Sequence, residues 1–272
     1  TPKLRSMARK EIAVMARLGH PHVVTFFGAT VQKTKAHLVL QLCRCSLHRL
    51  IYHTDHEDFA GIHFDDVMRM RFAKETASGL EYLHDSRVVH RDIKPENVLL
   101  SWSDPPSACI TDFGLAEMRR TTLASTVKVG QGGTLAYTAP EVLLEDGYGG
   151  KPVDVYSWSV TMNEMYAGTL PYEGLSEVQI KDSVLLSEAP ENRPQIVETM
   201  PPLLRTVVRG GWIHSAKDRP TFHAIIVVLS TGTVPATAAL EGDAAVIAPG
   251  AAGAAAEAAP ARRLSDDVVR EP

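Results

Sequence analysis

The spacing of apolar residues along the chain predicts several helices. In residues 4–18 apolar side chains recur at helical intervals, and Glu11 falls inside the same stripe. A carboxylate on a buried helix face needs a cationic partner or a hydrogen-bond donor. Asp65-Asp66 is a suitable N-terminal cap for a second helix that runs to about Leu83. Residues 154–167 are apolar around most of the helical circumference, which predicts a helix buried at the centre of a domain.

Shorter apolar runs rich in branched side chains predict strands. Two of these runs cover residues 23–27 and 37–42, and another covers residues 108–110. Short strands are also expected on both sides of a polar segment, at residues 88–89 and 98–100.

The last part of the chain changes character. Leu203-Leu204, Trp212 and residues 225–229 indicate helical core, although the β-branched run at residues 225–228 alone would equally suggest a strand. Residues 231–272 are rich in Ala and Gly, are interrupted by Pro and contain no aromatic residue. We expect this tail to be disordered, because such a segment cannot bury enough apolar surface to offset its ordering entropy.

Composition indicates a soluble globular protein of one or two domains. The 272 residues are 44% hydrophobic and carry a net charge of −4, which gives no reason to expect a nucleic acid partner. No apolar run reaches membrane-spanning length. The 3 cysteines are an odd number without metal-site spacing, which indicates reduced thiols in an intracellular, cytoplasmic setting. Since the first residue is Thr, N-terminal targeting cannot be assessed.

A polar segment at residues 90–97 carries the first candidate chemistry. It contains Asp92, Lys94 and Asn97, and Pro95 excludes a regular helix or a central strand there. Such a rigid loop presents a carboxylate, an ammonium group and a carboxamide to one side of a cleft. Taken alone, the segment would also fit an ordinary charged surface turn.

Two motifs further along the chain disfavour the surface-turn interpretation. Asp112-Phe113-Gly114 follows a predicted strand, an arrangement that suits a metal ligand beside a flexible glycine. Residues 133–141 end in Ala139-Pro140-Glu141. With residues 90–97, these motifs resemble in order and separation the eukaryotic protein kinase catalytic domain. The resemblance runs from about residue 9 to about residue 229.

The amino-acid sequences of three other segments resemble the tyrosine-kinase-like branch of that family: residues 20–24, 154–158 and 218–222. By contrast, Lys94 together with Gly133-Thr134 resembles the serine/threonine type, and Thr134 would hydrogen-bond near Asp92 and Lys94. The resemblance therefore implies a protein serine/threonine kinase that transfers the γ-phosphoryl group of ATP to Ser or Thr hydroxyls of protein substrates.

The implied fold is α+β and two-lobed. Residues 1–43 would form a partial small lobe, residues 44–230 a mainly helical large lobe, and residues 231–272 the tail. The resemblance further implies that Asp154 anchors the backbone at His90-Arg91. Other expected contacts are a buried ion pair between Glu141 and Arg219, and a stack of side chains that joins the lobes: Met15, Phe26, His90 and Phe113.

The implied catalytic roles fall on the polar segment and on Asp112. Asp92 would accept or orient the substrate hydroxyl proton, and orientation is expected to contribute more because an aspartate is a weak base. Lys94 would reduce repulsion between that hydroxyl and the γ-phosphate. Asn97 and Asp112 would hold Mg²⁺ through the hard oxygen ligands that this cation prefers. His90 would pack against other side chains. The alternative is that His90 acts as a general base.

The implied nucleotide site lies between the lobes. Glu11 would pair with a lysine that holds the α- and β-phosphates. Leu40 would guard the back of the pocket, the main chain of Gln41 and Cys43 would bond adenine, and Leu99 would pack beneath its ring.

The chain departs from the family pattern before residue 11. The glycine-rich loop and the strand that carries the phosphate-binding lysine have no counterpart there, and Lys3 and Lys10 lie too close to Glu11 to replace it. The pattern resembles a kinase domain truncated at its N-terminus. We expect the chain as given to bind ATP poorly and to be prone to aggregation through an unpaired strand edge. A non-catalytic, pseudokinase-like scaffold is the alternative function.

Residues 115–128 place hydroxyl groups beside cationic residues. We expect a regulatory activation loop that is phosphorylated at Ser125 or Thr126, with Arg91 as a phosphate partner. A plain solvated loop fits these residues equally well. A metal-dependent hydrolase is disfavoured because the chain lacks paired metal ligands such as His-x-x-x-His beside a Glu.

Overall fold

The computed structural model describes residues 12–32, 35–53, 59, 62–113, 133–144, 150–186 and 192–233, which belong to one compact unit. They form an α+β fold with small sheets and many helices, as the resemblance implies. Of the helix predicted over residues 4–18, residues 12–15 are helical, and Glu11 lies outside the described residues. So does the predicted tail, apart from residues 231–233. None of the helices described is both long and apolar enough to cross a membrane.

A small antiparallel hairpin consists of β1 (Phe26–Gln32) and β2 (Lys35–Leu40). The predicted strand limits are wrong at both places, since β1 begins three residues later than expected and β2 ends two residues earlier. β1 begins late because Val23 and Val24 pair with a different sheet, and β2 ends at Leu40 because that residue is the partner of Phe26.

That sheet is built from β3 (Cys45–Ser46), β4 (Val98–Leu100) and β5 (Ala108–Ile110), paired antiparallel. Val23 forms an isolated parallel bridge with Ile110. The Val24 N–H donates to the Ile110 carbonyl at 2.8 Å, and the Ile110 N–H donates to the His22 carbonyl at 2.9 Å. Residues 19–24, hereafter the strip, thus extend this sheet on the side of β5.

The strip also lies against the long helix α2 (Asp66–Asp85). A Cβ at Gly79 would stand 2.5 Å from the His22 carbonyl oxygen, so only glycine permits this approach. The His20 ring stacks on Tyr82 with ring centroids 4.9 Å apart, and the Tyr82 hydroxyl accepts the Gly19 N–H at 2.9 Å. These contacts attach the strip to the helical part of the fold.

As predicted, α2 begins after Asp65, whose carboxylate accepts the Met68 N–H at 2.9 Å. The other α-helices of the described residues are α1 (Leu47–Tyr52), α3 (Pro140–Leu144), α4 (Pro152–Ala167), α5 (Glu177–Leu185), α6 (Pro202–Gly211) and α7 (Phe222–Thr231).

Helix α4 is the centre of the fold, as its apolar circumference predicts. Every residue from Val153 to Tyr166 is buried. Gly168, with φ 68°, ends the helix, since glycine adopts left-handed backbone at little cost.

Helix α7 decides between the two predictions for residues 225–229 in favour of a helix. The Thr221 hydroxyl caps its first turn by accepting the Ala224 N–H at 3.2 Å. Ile225, Val228 and Leu229 are buried at helical spacing. Packing against α2 and α6 outweighs the weak preference of β-branched residues for strands.

Candidate active site

The polar loop after residue 90 folds back on itself and brings its three candidate groups together. A 3₁₀ turn at Pro95–Asn97 returns Asn97 towards Asp92. The Asn97 amide nitrogen Nδ2 donates to the Asp92 carbonyl at 2.6 Å and to Asp92 Oδ2 at 3.0 Å. The Lys94 ammonium nitrogen lies 3.4 Å from Asp92 Oδ1. The Asp92 carboxylate is therefore oriented from both sides by neighbours in its own loop.

Asp154 anchors the start of this loop, as predicted. Its fully buried carboxylate accepts the His90 N–H at 2.8 Å and the Arg91 N–H at 2.7 Å. His84 Nε2 lies 2.8 Å from Asp154 Oδ2. Arg91 has φ 65°, a conformation that costs a non-glycine residue about 1–3 kcal/mol and persists only where its surroundings fix it. The two hydrogen bonds to Asp154 supply that constraint.

His90 is fully buried and engages both ring nitrogens with backbone groups. Its Nδ1 accepts the Asp92 N–H at 3.3 Å, so Nε2 carries the proton and donates to the Thr111 carbonyl at 2.7 Å. A ring committed in this way has no nitrogen available to take a proton from a substrate. The geometry favours the packing role of His90 over the general-base alternative.

Asp112 follows the buried strand β5 and is brought to the same loop by backbone pairing. The Thr111 N–H donates to the Asn97 carbonyl at 3.0 Å, which places the two candidate metal ligands beside each other in the fold. Asp112 has φ 65°, a second non-glycine residue held in left-handed backbone. Since the Asn97 amide nitrogen already bonds to Asp92, its oxygen Oδ1 is the atom left to face a cation.

A carboxylate and a carboxamide oxygen fit Mg²⁺, which prefers hard oxygen ligands and keeps waters. The described residues contain no group of three or more His, Cys, Asp or Glu side chains that could hold a metal by itself. A cation bound at Asn97 and Asp112 would therefore depend on further oxygens from phosphates and water.

Met15, Phe113 and His90 are buried, and Phe26 packs against the same cluster from the hairpin. The expected stack of these four side chains is consistent with that burial.

The candidate nucleotide side consists of the connection at residues 41–44 and the face of β4. The Gln41 N–H donates to the Thr25 carbonyl at 2.8 Å, and the Arg44 N–H donates to the Leu100 carbonyl at 2.7 Å. Leu99 is half-buried whereas its neighbours Val98 and Leu100 are fully buried, so Leu99 faces away from the core. Leu40 is half-buried against the core cluster.

Cys43 lies in the same connection and is half-buried. Burial raises the pKa of its thiol, which keeps the side chain neutral. Of the remaining predicted site residues, Glu11, Ser125 and Thr126 lie outside the described residues. Thr134 is described only as part of a 3₁₀ turn at Gly133–Tyr137.

The predicted ion pair between Glu141 and Arg219 is present. Arg219 Nη1 lies 2.7 Å from Glu141 Oε1, and Nη2 lies 2.8 Å from Oε2. The Arg219 side chain is fully buried and donates further bonds to the carbonyls of Pro152, Ile213 and His214. This forked contact fixes α3, and with it the segment that carries Gly133–Tyr137.

One polar cluster next to the site was missed by the sequence reasoning. Glu164 of α4 is fully buried and accepts the Tyr52 hydroxyl at 2.8 Å and the Tyr137 hydroxyl at 2.5 Å. The pKa of Glu164 is raised to about 7, because burial and, to a smaller extent, Glu96 raise it more than the two hydroxyl donors lower it. The signal in the sequence was an acidic residue on a helix that is apolar all round.

Comparison with known proteins gives a family match over most of the chain. A model of the protein kinase domain matches residues 2–228. The dual specificity protein kinase shkD of Dictyostelium discoideum is 31% identical over 82% of this chain and 28% of its own length. The serine/threonine-protein kinase CTR1 of Arabidopsis thaliana is 32% identical over 81% of this chain and 26% of its own.

A second Arabidopsis thaliana protein, the serine/threonine/tyrosine-protein kinase HT1, is 31% identical over 84% of this chain and 55% of its own length. The chain thus spans between about a quarter and about half of these relatives. They are serine/threonine and dual-specificity kinases of the tyrosine-kinase-like type.

Proposed function

The chain belongs to the protein kinase family, and we propose that it transfers the γ-phosphoryl group of ATP to serine or threonine hydroxyls of protein substrates. The observation that carries this proposal is the polar loop, in which Asn97 and Lys94 hold the two oxygens of the Asp92 carboxylate at 3.0 Å and 3.4 Å. A scaffold without catalysis has no physical need for that arrangement. Lys94 is also the residue that points to serine and threonine rather than tyrosine as acceptors.

Each side chain of the loop has a part in this reaction. Asp92 orients the acceptor hydroxyl and receives its proton, since its carboxylate is fixed before the substrate arrives. Lys94 lies beside Asp92 and reduces the repulsion between the acceptor oxygen and the negatively charged phosphoryl group. Asp154 keeps both residues in place through the backbone of His90 and Arg91.

The oxygens of Asn97 and Asp112 are the groups that would hold Mg²⁺. Magnesium bound there would neutralise charge on the phosphates of ATP. Adenine would lie at residues 41–44, between the backbone of Gln41 and Cys43 and the side chains of Leu40 and Leu99. We place the boundary between the lobes at residue 43, because the chain leaves the hairpin at Gln41 and joins the large-lobe sheet at Arg44.

The test is phosphorylation of a peptide library by purified full-length protein, with Ser, Thr or Tyr at one fixed position. Incorporation of phosphate on Ser and Thr peptides is expected, with little on Tyr peptides. Asp92→Asn should lower kcat by a factor of about 10² to 10⁴ while leaving the thermal midpoint unchanged.

The matched control is Asp182→Asn, which removes an exposed carboxylate from α5 and should retain full activity. Equal activity of Asp92→Asn and the unmodified protein would refute the assigned role. Absence of phosphate transfer to any peptide, with Mg-ATP present, would favour the scaffold.

A further inference from the structure

Glu164 connects three elements that are distant in sequence. It lies on α4, while its two hydroxyl donors, Tyr52 and Tyr137, lie on α1 and on the 3₁₀ turn Gly133–Tyr137. Each carboxylate oxygen accepts one hydroxyl, at 2.8 Å and 2.5 Å. The Tyr137 carbonyl is also held to α4, since it accepts the Ser157 hydroxyl at 2.7 Å. The position of this turn relative to the core therefore depends on Glu164 and Ser157.

The polar loop at residues 90–97 acts electrostatically on this cluster through Glu96. Glu96 lies in the turn Pro95–Asn97, between Lys94 and Asn97, and is close enough to act electrostatically on Glu164, Tyr52 and Tyr137. A peptide whose hydroxyl reaches Asp92 must pass over the protein surface next to this loop. The turn Gly133–Tyr137 is therefore placed to bear on the bound peptide.

We propose that Glu164 is a positioning residue whose loss or gain of a proton tightens or loosens the turn Gly133–Tyr137, and so sets the affinity for the peptide substrate. This inference rests on the proposed kinase function and adds to it a control by pH. It assigns the effect to peptide binding, and neither ATP binding nor the chemical step at Asp92 depends on it.

The argument follows from the hydrogen-bonding capacity of the side chain. An ionised carboxylate is only an acceptor, and both tyrosine hydroxyls can donate to it at once. A protonated carboxyl has an O–H donor of its own, which needs an acceptor. The hydroxyl oxygens of Tyr52 and Tyr137 already contact this carboxyl, so one of them would accept that O–H. One tyrosine must then turn its own proton elsewhere, and the connection to that element weakens.

The charges around Glu164 allow this change near neutral pH. Burial and Glu96 raise the pKa of Glu164 to about 7, whereas the hydroxyls of Tyr52 and Tyr137 lower it. Burial raises the pKa of Tyr52, and the charges of Glu164, of Glu173 in the segment after α4 and of Glu96 raise it further. The pKa of Tyr137 is also raised, by burial and by Glu164, so both tyrosines stay protonated donors at neutral pH.

The first experiment measures KM and kcat for phosphorylation of a Ser peptide selected from the library, at pH 6 to pH 8. A single group with a pKa of about 7 that must be ionised for binding raises KM about tenfold between pH 8 and pH 6. Glu164→Gln has the shape and charge of the protonated carboxyl. Its KM should be independent of pH and close to that of the unmodified protein at pH 6, with kcat changed less than about twofold.

Two tyrosine variants distinguish this role from a merely structural one. Tyr52→Phe removes a hydroxyl that lowers the pKa of Glu164, so the midpoint of the KM profile should move to higher pH. Tyr137→Phe removes the hydrogen bond between Glu164 and the turn, leaves the Ser157 bond in place, and should abolish the pH dependence. A tenfold rise in KM that persists in Glu164→Gln, or a KM of the unmodified protein that does not change with pH, would overturn the inference.

Failure of the proposed function is separately visible. In that case no peptide is phosphorylated at any pH. Binding of a fluorescent Ser peptide is then measured by its anisotropy over the same pH range. Weaker binding at pH 6 in the unmodified protein, together with pH-independent binding in Glu164→Gln, supports the inference without turnover. Equal pH dependence in the two proteins opposes it.

Discussion

Replacement of Arg219 by Ala should destabilise the protein strongly, because every N–H group of its guanidinium has an acceptor. Two donate to the Glu141 carboxylate at 2.7 Å and 2.8 Å, and the others reach the carbonyls of Ile213, Pro152 and His214 at 2.9 Å, 3.1 Å and 3.0 Å. The guanidinium also lies 5.1 Å from the centroid of the Tyr156 ring.

The magnitude follows from what remains after the change. Glu141 keeps a carboxylate that is only 22% exposed, and the three carbonyls lose a buried donor. Removal of one partner of a buried ion pair costs about 3–5 kcal/mol. For a protein of this size the thermal midpoint should fall by about 10 °C.

Urea unfolding followed by tryptophan fluorescence measures this cost, since Trp158 and Trp212 are buried. Asp66→Asn serves as the control, because it breaks an exposed contact in which Asp66 Oδ1 lies 3.2 Å from Arg69 Nη1. That change should cost less than about 1 kcal/mol. If Arg219→Ala also costs less than about 1 kcal/mol, the pair behaves like a surface contact and the reasoning from burial is refuted.

A double-mutant cycle with Glu141→Gln separates the ion pair from the bonds to the carbonyls. A coupling energy of about 1.5–3 kcal/mol is expected for the charged part of the contact. A coupling near zero would assign the whole cost of Arg219→Ala to the lost bonds to the carbonyls.

Three further expectations follow from the packing and the buried charges. Asp154→Ala removes the acceptor of the His90 and Arg91 N–H groups, so kcat should fall by a larger factor than the affinity for ATP. Steady-state kinetics measures kcat, and nucleotide titration measures the affinity. Equal losses in both would contradict the anchoring role. Gly79→Ala places a methyl group 2.5 Å from the His22 carbonyl and should cost about 1–3 kcal/mol in urea unfolding, whereas an unchanged midpoint would mean that the strip shifts freely. The folded-state pKa of Glu164 is raised from 4.5 to about 7, so the folded protein keeps this proton longer than the unfolded chain. Between pH 4.5 and 7 this group should therefore remove about 3 kcal/mol of stability as the pH rises, with no further change above pH 7, and the slope should be absent in Glu164→Gln.

The convergence of the polar side chains at residues 90–97 could be predicted from the sequence because its geometry is local. Asp92, Lys94 and Asn97 lie within six residues of one another, and Pro95 restricts the backbone between them. The anchor at Asp154 and the pair of Glu141 with Arg219 were predicted by resemblance, since their partners lie 63 to 78 residues away. Spacing alone gives no indication of such contacts.

The features that were missed or misplaced all depend on tertiary structure. The cluster around Glu164 joins residues 112 and 27 positions apart, and nothing in the local pattern relates them. The strand expected at residues 23–27 begins at Phe26 instead, because Val23 bridges to Ile110 in the other sheet while the strip lies against α2. The β-branched run of α7 had two local solutions, and only the surrounding helices select one.

The two ends of the hairpin β1–β2 lie side by side. The Gln41 N–H bonds to the Thr25 carbonyl at 2.8 Å, and the Thr25 N–H bonds to the Gln41 side-chain oxygen at 3.2 Å. The strip before Thr25 and the residues after Gln41 are both hydrogen-bonded to the sheet β3–β4–β5, through Val24 and Arg44. Any displacement that separates Thr25 from Gln41 must break both of these hydrogen bonds, so the two ends of the hairpin are constrained to move together.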